Sequence, residues 1–153
     1  MASKRLIKEL DQYSKEPSPA VTRLELINDD DLTRLTASLR GPDGTAYEGG
    51  LWTLSISIPY SYPNTPPDVR FLTPICHANI SFTTGEICLD LLKASWTPAY
   101  TVVSTLEAVH QLLNAGGEPD SPLNMDIAKL LRDGDLVGAE SLVRFYTRKH
   151  AMG

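Results

Sequence analysis

The chain has 153 residues, 42 % of them apolar, with a formal net charge of −5. This is the size of a single domain around one core, and the acidic balance argues against general nucleic-acid binding. No apolar run is long enough to span a bilayer.

The opening M-A-S-K-R-L-I-K-E-L is too charged for a signal peptide. The closing K-H-A-M-G matches no peroxisomal address or lipidation box. A location inside the cell is therefore expected, with no direct membrane insertion and any membrane attachment made through a partner. Two cysteines, Cys76 and Cys88, in such a chain are weak grounds for a structural disulfide.

The first predicted element is a helix over 3–15, with Ser3 as its cap and Leu6, Ile7, Leu10 and Tyr13 as its apolar stripe. Lys4, Arg5 and Lys8 fall on the other side, toward solvent, and Pro17 and Pro19 end the helix. Strands are predicted over 21–27 (Thr22, Leu24 and Leu26 on one face), 32–40 (Leu35, Ala37 and Leu39), 52–58 (Trp52, Leu54, Ile56 and Ile58) and 68–72. A polar turn at 28–31 and Gly41-Pro42-Asp43-Gly44 separate the first three. Pro59, Pro63, Pro66 and Pro67 fix an extended crossing before the fourth. Helices follow over 101–114, 125–131 and 136–150. The first carries Val102, Val103, Leu106, Val109, Leu112 and Leu113 inward and stops at Gly116-Gly117. The last carries Val137, Leu142, Val143, Phe145 and Tyr146, and a turn lies at 118–123. Strands grouped first and helices grouped after give an α+β fold built on an antiparallel meander. There is no repeat and no composition break, so one domain over 1–153 is expected.

Between the strands and the later helices lies a stretch with no regular period, residues 76–98, which holds both cysteines and His77. An irregular loop of this length is usually functional. A zinc site at Cys76, His77 and Cys88 lacks a C-x-x-C knuckle and a fourth ligand. A thiol hydrolase needs an oriented histidine base. His110 falls in mid-helix and His150 near the chain end, which leaves His77, equally suited to bracing the loop. A thiol that accepts an already activated acyl group needs less: an oxyanion donor, which Asn79 could supply, and room for a second nucleophile. A buried structural cysteine is the plain alternative for Cys88, as a turn asparagine is for Asn79.

The ordered motifs decide among these. They are K-R-L-I-K-E-L at 4–10, Y-E-G-G at 47–50, Y-P-N-T-P-P-D-V-R-F at 62–71 and H-A-N-I at 77–80. G-E-I-C-L-D at 85–90, W-T-P-A at 96–99 and D-S-P-L-N at 120–124 complete them. Together they resemble the ubiquitin-conjugating enzymes over nearly the whole chain. The resemblance implies that family's fold: an N-terminal helix, a four-stranded antiparallel meander, then C-terminal helices. It implies that Cys88 forms a thioester with ubiquitin and that Asn79 stabilises the oxyanion or holds the loop. Asp90 and Ser121 would flank the thiol and help align an attacking lysine. Lys4, Arg5 and Lys8 would meet the activating enzyme, and Phe71, Pro98 and Ala99 a RING-type ligase. No metal or organic cofactor is implied, and the chain has no phosphate-binding loop.

The chain departs from the family pattern at two points. The usual H-P-N reads H-A-N, so Ala78 removes a backbone restraint beside Asn79. Ser121 stands where many members carry aspartate. The longer His77–Cys88 spacing, G-E-I-C-L-D-L-L, E-P-D-S-P-L-N and L-L-R-D-G-D are similar to the peroxisomal-import branch. That resemblance implies a membrane-anchored peroxisomal tether as partner, the import receptor as substrate, and work at the cytosolic face of the peroxisomal membrane. The tether is expected on the 125–150 helices, which lie farthest in sequence from the chemistry. The rival readings are a conjugating enzyme of another modifier or pathway, and an idle ubiquitin- or partner-binding module. The intact C-L-D favours an enzyme.

Overall fold

A computed structural model describes residues 2–115, 117 and 121–152. Gly116 and residues 118–120, part of the predicted helix stop and turn, lie outside the described residues. The chain opens with helix α1 (Ala2–Lys15) and then forms β1 (Val21–Asn28), β2 (Asp31–Arg40), β3 (Leu51–Ser57) and β4 (Asp68–Phe71). A short 3-10 turn follows at Asp90–Leu92, then helices α2 (Val102–Ala115), α3 (Met125–Arg132) and α4 (Leu136–His150). The strands pair in chain order as an antiparallel meander, as the grouping of elements predicts.

The sheet stands on rows of apolar residues that meet across strands. Leu35 pairs with Ile56, Ala37 with Leu54 and Leu39 with Trp52. The row continues through Leu54–Phe71 and Ile56–Val69. All of these are at most 4 % exposed, and each large side chain contributes about 1.5–3 kcal/mol of transfer free energy. Helix α2 packs across β1 and β2, with α1 against β1 and α2.

Two predicted faces are corrected. Thr22 is exposed and Val21 buried, because the pairing slips between Val21 and Arg23. The extra residue of that bulge resets the alternation, so Val21 and Leu24 face the core together. On α1, Ile7 is 55 % exposed and the buried positions are Leu6 and Glu9. Ser3, predicted as the cap, lies inside the first turn.

The buried Glu9 explains the shifted stripe. Its Oε2 accepts from the Tyr62 hydroxyl and from Arg5 Nε at 2.9 Å. Its Oε1 accepts from the Val102 backbone N–H at 2.8 Å, which supplies an acceptor to the open N-terminus of α2. Arg5 Nη2 also donates to the carbonyls of Pro98 and Tyr100, each at 2.8 Å. Thus α1 fixes both the proline crossing and the segment that leads into α2. Replacing Glu9 by Ala would leave the Tyr62 and Val102 donors unpaired, at a cost of about 3 kcal/mol. A thermal melt should show a midpoint lowered by roughly 10 °C. An unchanged melt would remove Glu9 from this role.

Candidate active site

The sequence H-A-N-I folds as a tight turn: the Ile80 N–H donates to His77 O at 3.2 Å, and these two residues bridge. The side chains on this turn are polar and yet buried, His77 to 1 % and Asn79 to 2 % exposure. Burial of that kind demands partners. The Asn79 backbone N–H donates to His77 Nδ1 at 3.1 Å. His77 Nε2 lies 3.0 Å from the Leu112 carbonyl. A carbonyl only accepts and an N–H only donates, so the imidazole is neutral, with its proton on Nε2. Burial pushes the His77 pKa down to about 4, the bond to Leu112 opposing. With both ring nitrogens engaged, His77 braces the turn and is not a general base.

Asn79 joins the turn to two other segments. Its Nδ2 donates to the Ser121 carbonyl at 3.0 Å, and its own carbonyl accepts the Cys88 N–H at 2.8 Å. The Ala78 carbonyl accepts from Leu123 N–H at 2.7 Å and Asn124 N–H at 3.2 Å. These bonds restrain the turn where proline is missing from H-A-N.

A small hairpin runs from this turn to the thiol. Ile80 bridges Ile87, Ser81 N–H donates to Glu86 O at 2.9 Å, and Gly85 N–H to Ser81 O at 3.0 Å. Gly85 sits at φ +75, where a Cβ would fall 1.9 Å from the Phe71 carbonyl oxygen, so glycine is required there. Cys88 emerges half-exposed after the buried Ile87, and Asp90 opens the 3-10 turn, exposed. Ser121 is exposed as well. The structure thus gathers Cys88, Asn79 and the Ser121 backbone through direct bonds and sets Asp90 two residues beyond the thiol. Cys76 has a different fate: it is 2 % exposed, and burial first, then the charge of Asp126, pushes its thiol up to about 12. It stays a protonated core residue.

The remaining predicted sites fall on two faces. Pro98 and Ala99 are exposed. Their loop is bound to the proline crossing by Trp96 Nε1–H donating to Pro63 O at 2.8 Å and by Arg5. Phe71 corrects the sequence reading: it is 4 % exposed, because strand alternation turns it inward on the same face as Val69, so its side chain presents little surface to a partner. Lys4 and Lys8 are exposed. Arg5 is only partly so, since its guanidinium braces the Pro98–Tyr100 carbonyls. Sequence reasoning read Gly117 only as a helix stop. At φ +84, its Cβ position lies 2.6 Å from His77 Cε1 and 2.7 Å from Asn79 Oδ1, so the backbone there lies directly on the turn. The signal was the Gly-Gly pair itself.

Comparison with known proteins gives a consistent answer. Residues 5–145 match the family model described as Ubiquitin-conjugating enzyme. The chain is 49 % identical over 148 residues to the ubiquitin-conjugating enzyme E2 PEX4 of Gibberella zeae, covering 95 % of this chain and 86 % of that one. It is 48 % identical to protein PEROXIN-4 of Arabidopsis thaliana, covering 97 % and 94 %. Among solved structures, it superposes on H. polymorpha Pex4p in complex with the soluble domain of Pex22p. The TM-score there is 0.93 at 36 % identity, over 99 % of both chains.

The geometry predicts two behaviours. An unfolded histidine titrates near 6.5, whereas folded His77 refuses its proton until about pH 4. The unfolded state therefore binds more protons in that window, and stability falls as pH drops through it, by about 3 kcal/mol in all. Urea midpoints at pH 7 and pH 4.5 measure this, and His77→Asn should flatten the slope; equal slopes would refute the assignment. Gly117→Ala forces a left-handed alanine against His77 and Asn79. It should cost about 2 kcal/mol and shift the Asn79 side-chain amide resonances, whereas an unmoved spectrum would show that the backbone gives way instead.

Proposed function

The chain belongs to the ubiquitin-conjugating enzyme family, in its peroxin-4 branch, and from that premise we propose that Cys88 carries ubiquitin and passes it to the peroxisomal import receptor. The observation that carries the site assignment is the partly exposed Cys88, whose backbone N–H is bonded to Asn79, in a loop whose histidine has both ring nitrogens engaged. A hydrolase could not work with that arrangement, but an acyl carrier can, because its substrate arrives activated.

In the first transfer, the Cys88 thiolate attacks the carbonyl carbon of the ubiquitin thioester on the activating enzyme. A new C–S bond forms, and the activating enzyme's thiolate leaves with the electron pair. In the second, a substrate amine or thiol attacks the Cys88 thioester, the Cys88 thiolate leaves with the electron pair, and the proton of the amine or thiol passes to solvent. Proximity and alignment supply much of the rate. Asn79 ties the 121–124 segment to the turn through Ser121, and its role in this reading is to hold the loop that carries Cys88 or to stabilise the oxyanion. Asp90 and Ser121, both exposed, orient the attacking group in this reading. ATP is consumed upstream by the activating enzyme.

Three faces remain for partners. Lys4 and Lys8 on α1 suit the activating enzyme, with Arg5 shared between that face and the brace to Pro98. Pro98 and Ala99, stiffened by Trp96, suit a RING-type ligase. On α4, Phe145 is 57 % exposed and shares an open groove with Arg144, Arg148 and Lys149. This face, with α3, suits a membrane-anchored tether of the Pex22p kind, which would hold the enzyme at the cytosolic face of the peroxisomal membrane. Among the described residues no helix is long and apolar enough to cross a membrane.

A charging assay with activating enzyme, ubiquitin and ATP tests the reading. Wild type should gain one ubiquitin that reductant removes. Cys88→Ser should give an adduct that reductant does not cleave, or none. A reductant-sensitive adduct that persists in Cys88→Ser would transfer the role to Cys76, and a wild type that never charges would leave the chain as a binding module.

A further inference from the structure

The turn of the hairpin between Asn79 and Cys88 is held from outside on two sides. On one side the Phe71 N–H of β4 donates to Gly85 O at 3.0 Å, and Arg70 bridges Glu86. On the other stands Phe82, which the mechanism does not use. Its ring is 5.0 Å from that of Tyr146 and 5.7 Å from that of His150, the latter edge-on. Tyr146 and His150 in turn stack on one another at 6.1 Å with an interplanar angle of 11°. They are one helical turn apart on α4 and so present one face to the ring. Aromatic pairs in this range contribute about 0.5–1.5 kcal/mol beyond the area they bury. Backbone bonds within residues 81–86 fix the shape of the hairpin, and its turn is tied to β4 on one side and, through Phe82, to α4 on the other.

We propose that Phe82 is a positioning residue for the transfer step: by seating on Tyr146 and His150 it lets α4 set the hairpin that carries Asn79 at one end and Cys88 at the other. The proposal rests on the assignment of Cys88 above. The two transfers depend on this hairpin unequally. In charging, the activating enzyme presents the thioester and orders the encounter. In discharge to a free amine, nothing but this chain aligns the reacting atoms, so a loop displaced at its tip is felt there.

The test uses the full chain with Phe82→Ala, Phe82→Tyr, Tyr146→Ala and the Phe82→Ala/Tyr146→Ala double variant. Each is charged, and single-turnover loss of the thioester to free lysine is followed beside a thermal melt. Phe82→Ala should charge to the wild-type extent but discharge about tenfold more slowly, since small misplacements of reacting groups are costly. Phe82→Tyr keeps the ring and should discharge within about twofold of wild type, the slack expected of a conservative swap. Tyr146→Ala should match Phe82→Ala, and the double variant should be no slower than either, because both remove one contact. Wild-type discharge in Phe82→Ala would overturn the proposal, as would effects of the two single changes that multiply. So would a joint fall of charging, discharge and melting temperature that Phe82→Tyr does not restore, since that marks a contact serving the fold alone. A wild type that fails to charge appears first on the same gel and overturns the Cys88 assignment instead.

Discussion

The site depends on a turn whose polar side chains are buried in an apolar core. His77 and Asn79 lie among Tyr47, Ile75, Cys76, Ala78 and Ile80, all buried, where an unpaired polar group costs several kcal/mol. Each must therefore reach a partner on a different segment. His77 reaches the Leu112 carbonyl near the end of α2, Asn79 reaches Ser121, and the Ala78 and Asn79 carbonyls receive N–H groups from 123–124 and from Cys88. Among the described residues, no buried side-chain nitrogen or oxygen is left without a partner. Satisfying a few atoms thus fixes several stretches of chain against one another. Loss of any one strands the rest in a low-dielectric setting, which makes such networks cooperative.

The chemistry proposed for Cys88 follows from what this network withholds. A neutral imidazole with both nitrogens engaged can neither take a proton from a thiol nor orient a water. The work left for the site is geometric, as a reaction between an activated thioester and an incoming nucleophile requires. The contrast between the cysteines follows from the same packing. Cys76 lies on the core side of the turn, with burial holding its proton on, and Cys88 lies on the open side. The difference comes from how far the chain has run past the buried Ile87, not from anything in the residue type.

Much of this was legible in the chain. The alternation of Leu35, Ala37 and Leu39, and of Trp52, Leu54 and Ile56, gave the central strands, because each side chain there answers to one buried face. The ordered motifs gave the family, which the match over residues 5–145 shows. What escaped was non-local. The parity of Thr22 depends on a slip in strand pairing, which no window on one strand contains. The face of α1 depends on Glu9, whose partners Tyr62 and Val102 lie far along the chain, and a carboxylate scores as solvent-facing until those partners are known. Arg5 looked like one of three free cations for the same reason. Phe71 was misplaced for a different one: its motif suggested a surface, while its own alternation with Asp68 and Arg70 already pointed it inward.

The two ends of the chain supply what the 76–98 stretch lacks. That stretch has bridges and one 3-10 turn but no helix or long strand, and ordering it costs roughly 1–2 kcal/mol per residue in backbone entropy alone. The hydrogen bonds within its hairpin are local, so its direction is set by what holds it from outside, β4 among them through Phe71 N–H and Gly85 O. On one side of Cys88, the first helix grips the stretch and its continuation through Arg5 and the carbonyls of Pro98 and Tyr100. On the other, the last helix meets Phe82 through Tyr146 and His150. The thiol is thus suspended between two elements that the sequence separates by more than the whole sheet. Because Lys4 and Lys8 are exposed on one of these helices and Arg144, Phe145 and Arg148 line a groove on the other, a partner docked on either helix sits one brace away from Cys88.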